Sequence, residues 1–250
     1  INAEFKWYES VNSLNISVPL NLTKGRFYRS IIPKVGWDQI QVFKTDETPD
    51  TFYTGNISAL SFGLEAYNLI KLSDRDIASR WGQIFLFTYK TSLINNPTGD
   101  LIAFQTAFLF PGLFKHHVLK LGYGYQKVTE NEYRFNSVID YPRGIKSYSD
   151  NSINRYSIDY KFPFWYPDFR IGSIIYFKRF RNNFFFDYGA ATDKNDQPVY
   201  YETAGLELTS DFHVFRSIIP FLAGVRYINN LNENYSSSFE FLFAVNFDSF

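Results

Sequence analysis

The sequence predicts an all-β protein, and within that class a transmembrane antiparallel up-and-down β-barrel with about eleven strands in this chain. Apolar and polar residues alternate with a period of two over long segments, and aromatic residues crowd the segment ends. Several segments exceed ten residues. Soluble strands usually have about 5–6 residues, whereas a tilted membrane-crossing strand needs about 9–11. A soluble β-sandwich also alternates and is the competing prediction.

The predicted strands follow one another along the whole chain, residues 1–250. In the first strand, Leu14, Ile16 and Val18 are apolar, while the intervening Ser13 and Asn15 are polar. The other segments repeat this alternation, so each strand has one apolar and one polar face. The segments cover residues 12–22, 26–43, 54–71, 79–94, 100–110, 116–128, 152–163, 182–191, 199–210, 213–228 and 238–250.

The connections between these segments are predicted to alternate in length. Short turns at one end of the strands and long loops at the other are typical of a barrel in an outer membrane. The stretch Trp165–Arg181 lacks clean alternation, so it is either an extension of strand or a longer excursion at the turn end. The short turns are Thr23–Gly25, Phe110–Phe114 and Ser210–Phe212, and the long loops are Lys44–Tyr53, Thr129–Asn151 and Asn229–Ser237.

Composition excludes several classes of protein. The 25 Lys and Arg balance the 25 Asp and Glu, so no basic field exists to attract nucleic acid, and no nucleic-acid partner is expected. A membrane helix needs about 18 consecutive apolar residues, and the best uncharged run, Leu101–Phe114, is shorter. The chain has no Cys and no Met and begins at Ile1, so it is expected to be a processed or partial segment of a longer precursor.

No catalytic constellation is apparent, and we expect a protein that is not an enzyme and holds no cofactor or metal. The chain has only three His, at positions 116, 117 and 213, and they adjoin predicted turns. They lack a serine in a Gly-x-Ser-x-Gly elbow, so interfacial polar side chains are the favoured interpretation.

Charged residues on the inward faces of two predicted strands are more informative. In the strand 152–163 the alternation directs Arg155, Asp159 and Lys161 inward, and in 182–191 it directs Asp187 inward. The preceding loop carries Tyr141-Pro142-Arg143-Gly144-Ile145. An arginine fork can satisfy a carboxylate in two places.

Three linked motifs make the chain resemble the superfamily of BamA, TamA and two-partner-secretion transporters, the bacterial surface antigen domain. The motifs are Arg143-Gly144-Ile145, Asp159-Tyr160-Lys161-Phe162-Pro163 and Phe185-Phe186-Asp187-Tyr188-Gly189. The resemblance implies that the loop of about 129–151 folds into the lumen, where Arg143 pairs with Asp159 and Asp187. It also implies that the eleven segments correspond to strands 6–16 of a sixteen-stranded barrel.

The final strand has the form of an outer-membrane β-signal, with aromatic residues at Phe241, Phe243, Phe247 and Phe250. Phe250 is out of step with the others by one residue, which a β-bulge near Asp248 and Ser249 would absorb. The resemblance implies a bacterial outer-membrane location with a periplasmic C-terminus. The expected partners are outer-membrane lipid and client outer-membrane or secreted polypeptides, with periplasmic or lipoprotein subunits as further candidates. The resemblance implies a function in aiding the insertion or passage of polypeptides through the outer membrane. A passive pore or a structural anchor in an envelope complex is the alternative function.

Overall fold

The structure, a computed structural model, describes residues 6–49, 53–73, 75–93, 99–130, 133–145, 150–215, 219–232 and 236–245. This part of the chain is all-β, without a helix that could cross a membrane. The strands are β1 Trp7–Ser17, β2 Leu20–Asn21, β3 Phe27–Lys44, β4 Gly55–Ile70, β5 Gly82–Leu93, β6 Gly99–Pro111, β7 Val118–Glu130, β8 Ser152–Trp165, β9 Phe169–Ile171, β10 Ile175–Thr192, β11 Pro198–Val214, β12 Phe221–Asn230 and β13 Ser238–Val245.

All thirteen strands belong to one antiparallel sheet. Eleven of them pair in the order β1-β3-β4-β5-β6-β7-β8-β10-β11-β12-β13, while the short strands β2 and β9 pair only with β3 and β10. The predicted all-β, up-and-down arrangement of about eleven main strands is therefore confirmed. The sheet is not closed, because β1 and β13 do not pair with each other within the described residues.

The exposed face of the sheet is apolar, and the buried face carries many polar side chains. In β10, Phe184 and Phe186 are 51% and 39% exposed, whereas Phe185 and Asp187 are buried. This alternation is the reverse of a soluble sheet, which buries its apolar face against a core. Other exposed apolar residues are Ile102, Phe108, Leu121, Ile158, Leu206, Val225 and Phe241, and other buried polar residues are Gln126, Ser157, Asp159, Thr203 and Asp211.

The sheet curls around residues 133–145, the described part of the β7–β8 connection. Tyr133 donates a hydrogen bond to Glu9 in β1 (3.4 Å), while Gly144 lies against Ile228 in β12. Apolar side chains of this segment join a buried cluster with residues of seven strands. The cluster includes Phe135, Ile139, Tyr141 and Ile145 from the loop and Ile40, Ile57, Leu101, Val128, Ile153, Ala191 and Tyr201 from the sheet.

The two ends of the sheet do not divide into short turns and long loops, so that prediction is wrong. We call the end that carries connections 45–54, 94–98, 131–151, 193–197 and 231–237 the loop end. The other connections, 18–26, 71–81, 112–117, 166–174 and 215–220, form the opposite end. Connection 71–81 is long because its Asp76 folds onto the sheet interior. Connection 193–197 is short because the Asp193 carboxylate accepts two backbone N–H groups at 2.8 Å.

Several strand boundaries also differ from the sequence prediction. The first strand covers Trp7–Ser17 instead of 12–22, with Pro19 between it and β2, and the strand predicted at 213–228 covers Phe221–Asn230. The turn predicted at Ser210–Phe212 lies inside β11, because Asp211 is buried and bonded by Arg179 and Arg181 of β10. The unassigned stretch Trp165–Arg181 contains the end of β8, the short β9 and the start of β10. A β-bulge between Phe177 and Arg179 shifts the register of β10 there.

Candidate functional site

A tight turn at residues 142–145 presents Arg143 to the inner face of the sheet. The backbone N–H of Ile145 donates to the carbonyl of Pro142 at 3.1 Å, and Gly144 has a φ of +79°. Only glycine adopts that backbone conformation without strain. The residue after Arg143 therefore lets the chain reverse at the point where the guanidinium meets the wall.

The structure brings Arg143 together with both carboxylates that the sequence motifs named. Its Nη2 donates to Asp159 Oδ1 at 2.7 Å, and its backbone N–H donates to Asp187 Oδ2 at 3.1 Å. The guanidinium Nε is 3.6 Å from the same Asp187 oxygen. The side chains of Asp159 and Asp187 are 2% and 0% exposed, so the loop tip provides hydrogen-bond donors and one positive charge to two buried carboxylates.

Each carboxylate is also held by a second donor that the motifs did not identify. Asn183 Nδ2 donates to Asp159 Oδ1 at 2.7 Å, and Arg155 Nη2 donates to Asp187 Oδ1 at 3.0 Å. The alternation of β8 placed Arg155 on the inward face without giving its partner, whereas Asn183 is neutral and gave no signal. Each carboxylate therefore has a hydrogen-bond donor on the sheet in addition to the donors of the loop tip.

Every named residue of the Phe-x-Asp-x-Gly motif contacts the loop tip. Phe185 lies beneath the Arg143 guanidinium, whose central carbon is 4.1 Å from the ring centre. A Cβ on Gly189 would lie 2.9 Å from Pro142 Cγ, so glycine makes room for the proline. One strand thus provides a cation–π surface, an acceptor and a space for the same turn.

The charge network continues across the last three strands. Arg226 of β12 donates to Glu207 of β11 at 2.7 Å and to Glu240 of β13 at 3.0 Å. Glu207 also accepts from Asn183 at 3.0 Å, which links this group to Asp159. The sequence analysis missed these residues, although the alternation of their strands gives a usable signal.

No protein-family model matches the chain, and a search of curated proteins gives no match. The family resemblance therefore rests on the three sequence motifs alone.

Two further hydrogen bonds connect other described residues of the loop to the sheet. Gln126 of β7 accepts from the backbone N–H of Val138 at 2.9 Å, and Tyr201 of β11 donates to Asp150 at 2.9 Å. Burial raises the pKa of the Asp150 carboxyl, and the charge of Asp193 adds to that shift. Hydrogen bonds from two tyrosines and the charge of Arg134 only partly oppose it. Within the described residues, the loop is therefore bonded to the sheet at 138 and 150 as well as at its tip.

A polar cavity of about 560 Å³ lies beside the loop tip. Its charged lining consists of Lys120, Asp140, Arg143, Arg155, Asp159, Arg226 and Glu240. The described residues include no group of three or more potential metal ligands. The arrangement can hold the loop by charge and hydrogen bonding.

A second network, which the sequence analysis missed, lies at the opposite end. Asp76 of connection 71–81 is 2.7 Å from Nδ1 of His116, and its carbonyl accepts from Arg179 Nη1 at 2.9 Å. Burial raises the pKa of Asp76, but hydrogen bonds from His116 and the Ser73 backbone, with the charge of Arg80, lower it overall. No sequence pattern links residues so far apart. The other turn histidine, His117, is 2.9 Å from the Tyr160 hydroxyl.

The C-terminal strand is described only in part. Phe241 and Phe243 lie on β13 with their side chains 92% and 68% exposed. Phe247, Phe250 and the expected bulge near Asp248 lie outside the described residues. His213, expected beside a turn, lies within β11 opposite Tyr176.

Proposed function

We propose that this chain forms the wall of a bacterial outer-membrane β-barrel that aids insertion or passage of other polypeptides. The observation that carries the proposal is the anchored loop tip, in which Arg143 meets Asp159 and Asp187 on an inner wall. The arrangement has the residues, and the strand positions, that the family resemblance implies. In this proposal, the C-terminal end of the chain faces the periplasm.

The polarity of the sheet supports a membrane location. If this chain were a soluble β-sandwich, the many large apolar residues of its exposed face would lie in water. Lipid favours such a surface. Hydrocarbon also requires backbone groups to be paired within the protein, which a long antiparallel meander largely achieves. The competing sandwich fold is therefore disfavoured by the orientation of residues such as Phe184 and Phe186.

The C-terminal strand supports an action on polypeptides. β13 pairs on one side only within the described residues, so its other edge has backbone donors and acceptors for another strand. The interior near the loop is occupied by residues 133–145. Strand pairing at an edge, with no bond chemistry, is the proposed mechanism.

Client folding in proteoliposomes tests the proposal. The full chain is folded into phosphatidylcholine vesicles, and the folding rate of an unrelated outer-membrane barrel is followed by heat-modifiable gel mobility. Vesicles containing the same mass of a trimeric porin are the matched control. The proposal predicts faster client folding than in the porin vesicles, and equal rates would contradict it.

A passive pore or structural anchor is the second candidate, and the same vesicles distinguish it. A pore would give steady ion conductance without faster client folding, and an anchor would give neither. The polar cavity beside Arg143 favours some water in the lumen. The buried loop cluster favours low conductance, which the assembly proposal also predicts.

A further inference from the structure

The two ends of the sheet carry opposite charge. Within the described residues, the connections of the opposite end contain seven Lys and Arg and two Asp, whereas those of the loop end contain three Lys and Arg and six Asp and Glu. The seven basic residues are Lys24, Arg26, Lys71, Arg75, Arg80, Lys115 and Arg170. The chain as a whole is neutral, so this asymmetry arises from placement alone.

The cations of the opposite end are available to a ligand. Of the two acids that the structure describes at this end, Asp76 is buried against His116 and Arg80, and Asp168 accepts from Tyr176. Six exposed cations have no ion pair among the residues that the structure describes. They are Lys24, Arg26, Lys71, Arg75, Lys115 and Arg170.

Exposed apolar side chains stand directly beside these cations on three separate connections. Leu72 follows Lys71, Phe114 precedes Lys115, and Phe169 precedes Arg170. The three apolar side chains are 60%, 70% and 56% exposed. A pairing of apolar and cationic groups at one depth suits the membrane interface, where the first enters the acyl boundary and the second reaches phosphate.

A band of aromatic rings adjoins this end on the outer face. Neighbouring rings lie 5.4 to 6.2 Å apart between centres and cross from β8 to β13 without a break. Aromatic belts mark the depth of the headgroups in membrane proteins. The band consists of Trp165, Phe180, Phe177, Phe212, Phe221 and Phe243.

We propose that the opposite end is a binding surface for anionic phospholipid headgroups. The inference rests on the proposed membrane location. It adds a class of lipid and places that lipid in the leaflet that faces the periplasm. The unpaired cations contact lipid phosphate, and the adjacent Leu72, Phe114 and Phe169 enter the acyl boundary. An acidic protein partner would use the cations but would not explain an apolar residue beside a cation on three connections.

Spin-labelled lipids test this surface in the full chain. The protein is folded into phosphatidylcholine vesicles, folding is checked by heat-modifiable mobility, and the motionally restricted fraction of labelled phosphatidylglycerol is compared with that of labelled phosphatidylcholine. We expect a preference of about threefold for phosphatidylglycerol, because each cation near an anionic surface contributes measurably. In 1 M NaCl, where the screening length is about 3 Å, the preference should fall close to one.

Two triple variants that lose the same charge locate the effect. Lys71→Gln/Arg75→Gln/Lys115→Gln should reduce the preference well below that of the wild type, whereas Lys6→Gln/Lys127→Gln/Lys194→Gln at the loop end should preserve it. Equal association of both lipids with folded wild-type protein, or an equal loss in both variants, overturns the inference.

Two other outcomes also contradict the inference and are distinguishable from each other. Failure to fold in any vesicle contradicts the membrane location itself, and the inference falls with it. If soluble polyglutamate binds through Lys71, Arg75 and Lys115 while the two lipids associate equally, the surface recognises an acidic protein.

Discussion

Removing the Arg143 side chain should release the loop tip from the wall. Arg143→Ala deletes the 2.7 Å bond to Asp159, the 3.6 Å ion pair with Asp187 and the contact over Phe185. It keeps the backbone N–H that donates to Asp187. The substitution therefore tests the guanidinium separately from the backbone hydrogen bond of the loop tip.

The contacts set the expected magnitude. A charge-assisted hydrogen bond contributes about 1.5–3 kcal/mol, and a cation–π contact about 0.5–2 kcal/mol. Breaking a buried ion pair costs about 3–5 kcal/mol when the remaining charge has no other partner. Here Asp159 keeps Asn183 and Asp187 keeps Arg155. We therefore expect Arg143→Ala to lower the free energy of unfolding by about 2–4 kcal/mol.

Double-mutant cycles give a sharper result than either variant alone. Arg143→Ala combined with Asp159→Asn should show a coupling of about 1–2 kcal/mol. The cycle with Asp187→Asn should show less, because that carboxylate lies farther from the guanidinium. Arg143→Lys should restore only part of the loss, since it has no planar fork.

Urea unfolding in lipid vesicles, read by heat-modifiable mobility, measures the free energies, and protease protection reports on the loop. Lys194→Ala, an exposed loop-end change, is the control and should have little effect. Additivity within about 0.3–0.5 kcal/mol for the Asp159 cycle, with the loop equally protected, would refute the proposed anchor.

Three further predictions concern Asp76 in connection 71–81, the two faces of the sheet and the C-terminal residues. The lowered pKa of Asp76 means that its contribution to stability is present above the usual value of 3.8 and is lost as pH falls through the lowered value. Unfolding between pH 2 and 6 should show this loss in wild type but not in Asp76→Asn. Phe186→Lys on the apolar face should cost about 2–4 kcal/mol of folding free energy in vesicles, and Gln105→Lys on the inner face much less; equal costs would contradict the assignment of faces. Deleting Ser249 and Phe250 should reduce outer-membrane assembly without affecting export, as seen by mobility shift in membrane fractions, and normal assembly would show that the terminal Phe is not a signal.

Sequence periodicity predicted the strands well because each strand follows a local rule. The alternation of Phe184, Phe186 and Tyr188 with Phe185 and Asp187 requires no knowledge of neighbouring strands. Asp211 shows where the rule fails. It lies in the turn predicted at Ser210–Phe212, but Arg179 and Arg181 on the adjacent strand stabilise it within β11, and no local pattern reveals that neighbour.

The loop anchor was predictable because a motif specified which residues meet. Asp159 and Asp187 lie on the inner face by alternation, and the motif added Arg143 as their partner. The Asp76 network had neither kind of signal, since His116 and Arg179 approach it from distant parts of the chain. The Glu207–Arg226–Glu240 group lies between these cases, because alternation gives its face but not its pairing.

Lipid contact along one strand tests the membrane assignment most directly. The chain has no cysteine, so single cysteines at positions 183 to 188 of β10 can each carry a nitroxide label in protein folded into vesicles. We predict that labels at 184, 186 and 188 collide with oxygen dissolved in lipid, while labels at 183, 185 and 187 are shielded from it. If the even positions instead collide mainly with a water-soluble nickel complex, the apolar face lies in water and the chain is not a membrane barrel.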